Sequence, residues 1–173
     1  ADIFGPGKVL VFGEVIDKDG QPYGANLRAV LKAYAQEMYD KNGYTLNAAN
    51  EIEGFLFKGT DAERHYHETN KFDYVSSGGY YHSLPGDVLR LFIDSSSGVQ
   101  RAMGFQNEKD HPEVAPSQFE INYSYADVVA AADQIQIYKL ICRQVATKMG
   151  LTASFLPKPV VGVNGSGMHT NVS

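Results

Sequence analysis

The sequence predicts an α+β fold, a sheet with helices packed on one face, and three observations predict it. Segments that alternate apolar and polar residues are interleaved with segments that repeat at helical spacing, without a strict βαβ rhythm and without an internal repeat. Carboxylates and a histidine share one face of three separate expected strands, and apolar side chains take the other face. A length of 173 residues, 43% of them hydrophobic, suits one domain with a real core.

Each element follows from its local pattern. Residues 8–16, Lys-Val-Leu-Val-Phe-Gly-Glu-Val-Ile, are rich in β-branched and aromatic side chains and stop at Asp17-Lys18-Asp19-Gly20, which predicts a strand ending in a turn. From Asn26 to about Lys41, Leu27, Val30, Leu31, Tyr34 and Met38 keep helical spacing, with Asn26 as N-cap and Gly43 as stop. Tyr44 to Phe57 reads as a long strand with Glu51 and Glu53 on one face and Ile52 and Leu56 on the other. Residues 58–79 are polar and turn-rich, and His65 and His67 are expected there as solvent-exposed loop residues.

Pro85, within Leu84-Pro85-Gly86-Asp87, presets the backbone for a helix whose stripe is Val88, Leu91, Phe92, Val99 and Met103. Ser95-Ser96-Ser97-Gly98 is its weak point, and Gly104 its end. Gln118 to Tyr123 is expected as a half-buried strand, with Gln118, Glu120 and Asn122 opposite Phe119, Ile121 and Tyr123. Residues 125–149 give the strongest helix, through Val128, Val129, Ala132, Ile135, Tyr138, Cys142, Val145 and Met149, with Gly150 as C-cap. A strand is expected at Ala153–Leu156. Pro157-Lys158-Pro159 and a turn at Gly162, Gly165 and Gly167 lead to a last strand, Met168–Ser173, that puts His169, Asn171 and Ser173 on one face.

Composition narrows the function. A net charge of −5, with no run of Lys or Arg, excludes a nucleic-acid partner. The single cysteine, Cys142, cannot form an internal disulfide and falls among helix-core residues, which fits a reducing compartment. No stretch approaches the roughly 20 apolar residues of a membrane span, and no signal-peptide pattern opens the chain, so a soluble cytoplasmic protein is expected. Gly-Lys-Ser/Thr is missing from the glycine-rich turn, so it is not a Walker loop.

The chemistry starts from Glu51 and Glu53. Two carboxylates about 7 Å apart on one strand face repel each other and lose hydration, and a cation relieves both costs. Glu113, Glu120 and His169 add an oxygen-dominated set with one nitrogen, which suits Mg2+ or Mn2+. Taken singly, each residue fits an ordinary alternative: a solvated strand face, surface charges beside a turn, or a hydrogen-bonded edge histidine.

Together these segments resemble the glutamine synthetase family, type I-like. Glu51-Ile52-Glu53-Gly54-Phe55-Leu56-Phe57 looks like its paired-glutamate strand, and Gly78-Gly79-Tyr80-Tyr81 is similar to its Gly-Gly-Tyr-Phe segment. His111-Pro112-Glu113-Val114-Ala115-Pro116-Ser117-Gln118-Phe119-Glu120 resembles the signature that bears two further metal ligands. Leu156-Pro157-Lys158-Pro159 and Asn164-Gly165-Ser166-Gly167-Met168-His169 are similar to its most distinctive run, and the helix around Ala131–Lys139 matches in type and position. The resemblance is weak at 58–77. Pro112 stands where many relatives have a second histidine, and Ser117 where glycine is usual.

The resemblance implies a curved, mainly antiparallel sheet that lines the active site, with helices on its outer face. It assigns Glu53, Glu113 and Glu120 to one metal and Glu51 and His169 to a second. It puts Asn164 and Gly165 at the amino-acid substrate, and Glu108, His111, Asn171 and Ser173 at ATP. Tyr80 would form the ammonium pocket, with Glu113 as its catalytic partner. The implied reaction joins glutamate and ammonium through γ-glutamyl phosphate at the expense of ATP, with Mg2+ or Mn2+ as cofactor, in a cytoplasmic homo-oligomer of double rings. Two alternatives stay open: a γ-glutamyl-amine ligase acting on methylamine or a polyamine, and a non-catalytic relative that keeps the fold. Residues 1–173 read as the centre of the catalytic domain, without the amino-terminal β domain or the carboxy-terminal part. This stretch alone is expected to be inactive.

Overall fold

The computed structural model describes residues 3–82 and 86–173. Its elements are α1 (Leu27–Asn42), β1 (Asn47–Lys58), α2 (Ala62–Thr69), α3 (Val88–Ala102), β2 (Asn107–Pro112), β3 (Gln118–Tyr123), β4 (Ala126–Asp127), α4 (Val128–Lys148), β5 (Leu151–Ser154) and β6 (Met168–Val172). The fold is α+β, as expected. The strands form one sheet in which β1 is the hub: β3 and β4 pair with it, β2 pairs with β3, and β5 and β6 also pair with β1. All of these pairings are antiparallel.

Alternation along β1 divides the molecule. Ile52 and Leu56 enter the main core with Phe119 and Ile121 of β3, Leu89, Phe92 and Ile93 of α3, and Tyr138, Ile141 and Cys142 of α4. Burial pushes the Cys142 thiol up to about 12, which leaves it an inert core group as expected. Tyr138 is fully buried, and its hydroxyl donates to the Ile52 carbonyl at 2.9 Å, which ties α4 to the middle of β1. The opposite face of β1 carries Glu51 and Glu53, then Phe55 and Phe57 in a smaller cluster with Ala62, Ala115 and Phe72. One face of one strand is therefore polar at its start and aromatic at its end.

Capping chemistry fixes three of the helices. Gly43 closes α1 in the left-handed conformation at φ 70°. Asp87 accepts from Leu89 N at 2.9 Å, and Asp127 accepts from Val129 N at 3.0 Å, where α3 and α4 have unsatisfied N–H groups. Among the described residues no helix is long and apolar enough to cross a membrane.

Several expectations are corrected. Residues 8–16 form no strand apart from one bridge, Ile16 to Pro22: their composition favours an extended chain, but among the described residues no strand of the sheet pairs with them. Val9 and Val11 stand more than four-fifths exposed. The apolar stripe of α1 is likewise outside the core, and the helix is held to α4 by the Arg28–Asp133 ion pair at 2.9 Å. Within 58–79 lies α2, so His65 and His67 belong to a helix; His65 is half-buried, with Nε2 3.2 Å from Asp73 Oδ2.

α3 continues unbroken through 95–98, where Ser97 Oγ bonds Asp110 at 3.1 Å. Val88 and Leu91 of its expected stripe face outward, while Leu89 and Ile93 face the core. Leu84 and Pro85 lie outside the described residues, so the expected helix start is tested only at Asp87. β3 is wholly buried, since α3 and α4 cover one face and the polar site covers the other. The long strand starts at Asn47, the long helix at Val128, and β5 ends at Ser154. Strands β2 and β4 were not anticipated; one lacks alternation and the other is two residues long.

Gly54 carries a clear mutational consequence. A Cβ there would stand 2.8 Å from Phe119 Cζ and 3.0 Å from Phe155 Cε1, both rings packed in the core. Gly54→Ala is expected to destabilise the chain by about 1–3 kcal/mol through overpacking. A lowered urea midpoint checks this; an unchanged midpoint would show that the rings yield freely.

Candidate functional site

Sheet register assembles the site. Glu53 is the Cα partner of Glu120 across β1 and β3, and Glu120 is the partner of His111 across β3 and β2. On the other edge of β1, Glu51 is the partner of His169. Four strands thus bring one residue or pair each to a common face. The two-residue period that sends Ile52 and Leu56 inward sends these side chains the other way.

His111, Glu113 and Glu120 each offer a ligand atom, and these atoms lie within 4.8 Å of one another. Glu113 and Glu120 are buried, and Glu120 is only 6% exposed. Burial raises the Glu120 carboxyl above the ordinary carboxylate range, and nearby Glu113 raises it further, against the lowering effects of Asn122 and His111. Two carboxylates and an imidazole in a partly desolvated cluster form a donor set that fits a hard divalent cation.

Glu53 borders this cluster and is held in place. Its Oε2 accepts from Gln118 Nε2 and from Gly167 N, both at 2.9 Å. The Gln118 amide also donates to the Gly165 carbonyl at 2.8 Å, so one side chain links Glu53 to the glycine-rich turn. Strand parity had put Gln118 on this face, but its role as a clamp depends on the fold of the distant turn. On the other side of β1, Glu51 Oε2 and His169 Nδ1 stand 3.3 Å apart, with the histidine largely exposed.

Tyr80 lies over the cluster. Its ring centroid is 5.3 Å from that of His111, and the Glu113 carboxylate, accepting from its hydroxyl, holds the phenol above its ordinary range. Tyr81 points out at 95% exposure, so of the two rings Tyr80 is the one at the site.

The remaining expected residues lie around this centre. At Gly165 a Cβ would meet the Pro157 carbonyl at 2.6 Å, so the two backbones touch where a side chain has no room. Asn164 beside it is exposed. Asn171 pairs with Ala49 along β6, and Ser173 exchanges two backbone hydrogen bonds with Asn47. Glu108, on β2, accepts from Ser124 Oγ at 3.0 Å. His111 Nδ1 is 3.0 Å from the Pro112 carbonyl and 3.5 Å from Glu113 Oε1.

The comparisons with known proteins agree on one family. The family model described as glutamine synthetase, catalytic domain, matches residues 25–173. A glutamine synthetase of Staphylococcus aureus strain MW2 is 41% identical over 170 residues, covering 98% of this chain and 37% of that protein. A crystal structure of a novel glutamine synthase homolog superposes with a TM-score of 0.77 at 27% identity, covering 93% of this chain and 34% of the other. A complex of GmaS with ADP superposes at 0.74 and 26% identity, covering 90% and 35%. The chain therefore spans about a third of the length of these relatives.

The raised Glu120 carboxyl sets a pH dependence. With its folded value above the unfolded one, the group's contribution is fully present below the unfolded range and is lost as pH rises through the folded value. In chelator-treated protein, Glu120→Gln is expected to raise the melting temperature at pH 7, with the gain shrinking as pH falls through the carboxylate range. Millimolar Mn2+ is expected to reverse the order by stabilising wild type more than the variant. A Glu120→Gln effect independent of both pH and Mn2+ would argue against this electrostatic account.

Proposed function

We propose, since this chain belongs to the glutamine synthetase family, that the longer protein is an ATP-dependent ligase that joins ammonia to the γ-carboxyl of glutamate. The observation that carries the reading is the His111–Glu113–Glu120 cluster beneath the Tyr80 ring, with Glu53 in register beside it. A sheet face without a catalytic task has no electrostatic reason to gather buried carboxylates, which argues against a non-catalytic relative.

Glu53, Glu113 and Glu120 would hold one Mg2+ or Mn2+, with Glu51 and His169 at a second. Such ions supply neutralising charge to phosphate oxygens. The chain's own residues have distinct tasks. Asn164 offers an amide, and Gly165 a bare backbone, to the amino-acid substrate. Gln118 keeps the Gly165 carbonyl and the Glu53 carboxylate at fixed separation, so substrate and acidic floor are oriented together. Glu108, His111, Asn171 and Ser173 would meet ATP, a reading supported by the ADP in the related GmaS complex.

Ammonium is drawn by carboxylate charge and the Tyr80 hydroxyl, and only its neutral form attacks the γ-glutamyl phosphate. The Glu113 carboxylate beside Tyr80 is the group of this chain suited to take that proton. The glycine-rich turn and the 76–82 segment would keep water from the acyl phosphate. We place the enzyme in the cytoplasm as a homo-oligomer, as the family resemblance implies.

A second reading is a γ-glutamyl-amine ligase. Tyr80 is 48% exposed, so on this chain's side the amine position has an open approach that a methylamine or polyamine would fit.

The test is phosphate release coupled to product detection, with the full-length protein, glutamate and ATP, and with ammonium, methylamine or putrescine as acceptor. Ammonium is expected to give the highest kcat/KM; preference for an amine would establish the second reading. Glu53→Ala is expected to lower turnover at least ~100-fold while circular dichroism stays unchanged. Undiminished turnover would remove Glu53 from the site.

A further inference from the structure

The turn that opens β3 contains a residue whose backbone and side chain pull in opposite directions. Ser117 has φ +61°, in the left-handed region that glycine occupies without strain, yet it carries a side chain and is completely buried. Its hydroxyl oxygen accepts from Val75 N at 2.8 Å and Ser76 N at 3.0 Å, and donates to the Ser76 carbonyl at 3.1 Å. All three partners lie on one short segment, 41 or 42 residues away in sequence.

That segment is tied at a second point. Ser76 Oγ donates to Asp87 Oδ2 at 2.9 Å and accepts from Gly78 N at 3.2 Å. Asp87 Oδ2 is also 3.1 Å from His82 Nε2, while its other oxygen caps α3. Residues 76–82 are therefore suspended between the start of β3 and the start of α3, with Tyr80 in the span. Ser117 is fixed from below, because its carbonyl accepts from Leu56 N at 2.8 Å. Gln118, the next residue, clamps Glu53 and Gly165. Two consecutive side chains thus set the acidic floor and the loop above it.

We propose that Ser117 is a positioning residue whose clasp on Val75 and Ser76, continued through Asp87 to His82, holds Tyr80 over Glu113 and His111 and so sets the amine position. The claim that this position receives the amine rests on the ligase reading; the clasp does not. A structural plug would need only volume at Ser117, and glycine would fit its backbone better. The hydroxyl is explained by its three bonds to the loop.

The test replaces Ser117 by glycine, which suits the backbone and removes only the clasp. The chain is labelled with 3-fluorotyrosine, the Tyr80 resonance is assigned with Tyr80→Phe, and amide exchange is followed by mass spectrometry. In Ser117→Gly, amides of 75–79 are expected to exchange at least ~tenfold faster, and the Tyr80 resonance to move toward that of exposed Tyr81. Exchange in α3 and α4 is expected to stay unchanged. Wild-type exchange and resonance would overturn the proposal, as would acceleration spread evenly over α3 and α4. Ser76→Ala leaves the backbone bonds to Ser117 but removes the hydroxyl links to Asp87 and Gly78, so it tests the continuation toward His82 even if Ser117→Gly folds poorly; an unmoved Tyr80 resonance there overturns that part of the proposal.

In the full-length enzyme, Ser117→Gly is expected to raise the KM for the amine acceptor at least ~fivefold with a smaller change in kcat. Faster loop exchange without any ligase turnover in wild type would refute the ligase reading and leave the clasp standing. An unaltered KM in an active enzyme would refute the link to the amine.

Discussion

The constraint on which the rest of the structure depends is the two-residue alternation of β1. This strand pairs along both edges, so it can neither rotate nor slide without breaking bonds to several neighbours. A slip by one residue would send Glu51 and Glu53 into the apolar core and bring Ile52 to the site. Burying ionised carboxylates without partners is far costlier than losing a few contacts, so the register has one acceptable solution. Tyr138 reinforces it from behind by holding the Ile52 carbonyl between the two glutamates.

With β1 fixed, the site is assembled by its neighbours. β3 brings Glu120, and with it the desolvation that perturbs this carboxyl most. β2 brings His111 opposite Glu120, and β6 brings His169 opposite Glu51. The turn before β3 then does two tasks at adjacent residues, because Ser117 holds the loop above and Gln118 the glycine-rich turn alongside. A site built this way depends on segments far apart in sequence, so its geometry belongs to the fold rather than to any local motif.

Much of this was legible from periodicity. The faces of β1 and β3, the Gly43 stop of α1 and the Tyr138, Cys142 and Val145 stripe of α4 follow from pattern, whereas Asn26 makes no side-chain cap bond and α4 also buries Ala131, Ile141 and Ala146 from beside the expected stripe. What failed shares a physical cause. Residues 8–16 have the composition of a strand, but composition supplies no pairing partner, and among the described residues no sheet strand pairs with them. The serines of α3 read as its weak point, whereas the helix runs on through them and Ser97 finds a partner in Asp110 of β2, which spacing along α3 does not reveal. α2 is short, polar and seen only through its contacts with Phe72 and the aromatic end of β1. At the site, the carboxylates were readable, but the clasp of Ser117 and the clamp of Gln118 were not, since each is defined by a partner more than forty residues away.

The pairing of Glu51 with His169 also joins segments that emerge at very different times during synthesis. These partners are separated by 118 residues. At roughly 5–20 residues per second of synthesis, the β6 edge of β1 waits several seconds for its strand after β1 has emerged. During that time the acidic residues of β1 keep their hydration and repel one another, and like charge on an open edge discourages pairing with another nascent chain. Closure by a late strand means that the acidic face is completed only after the core behind it can form.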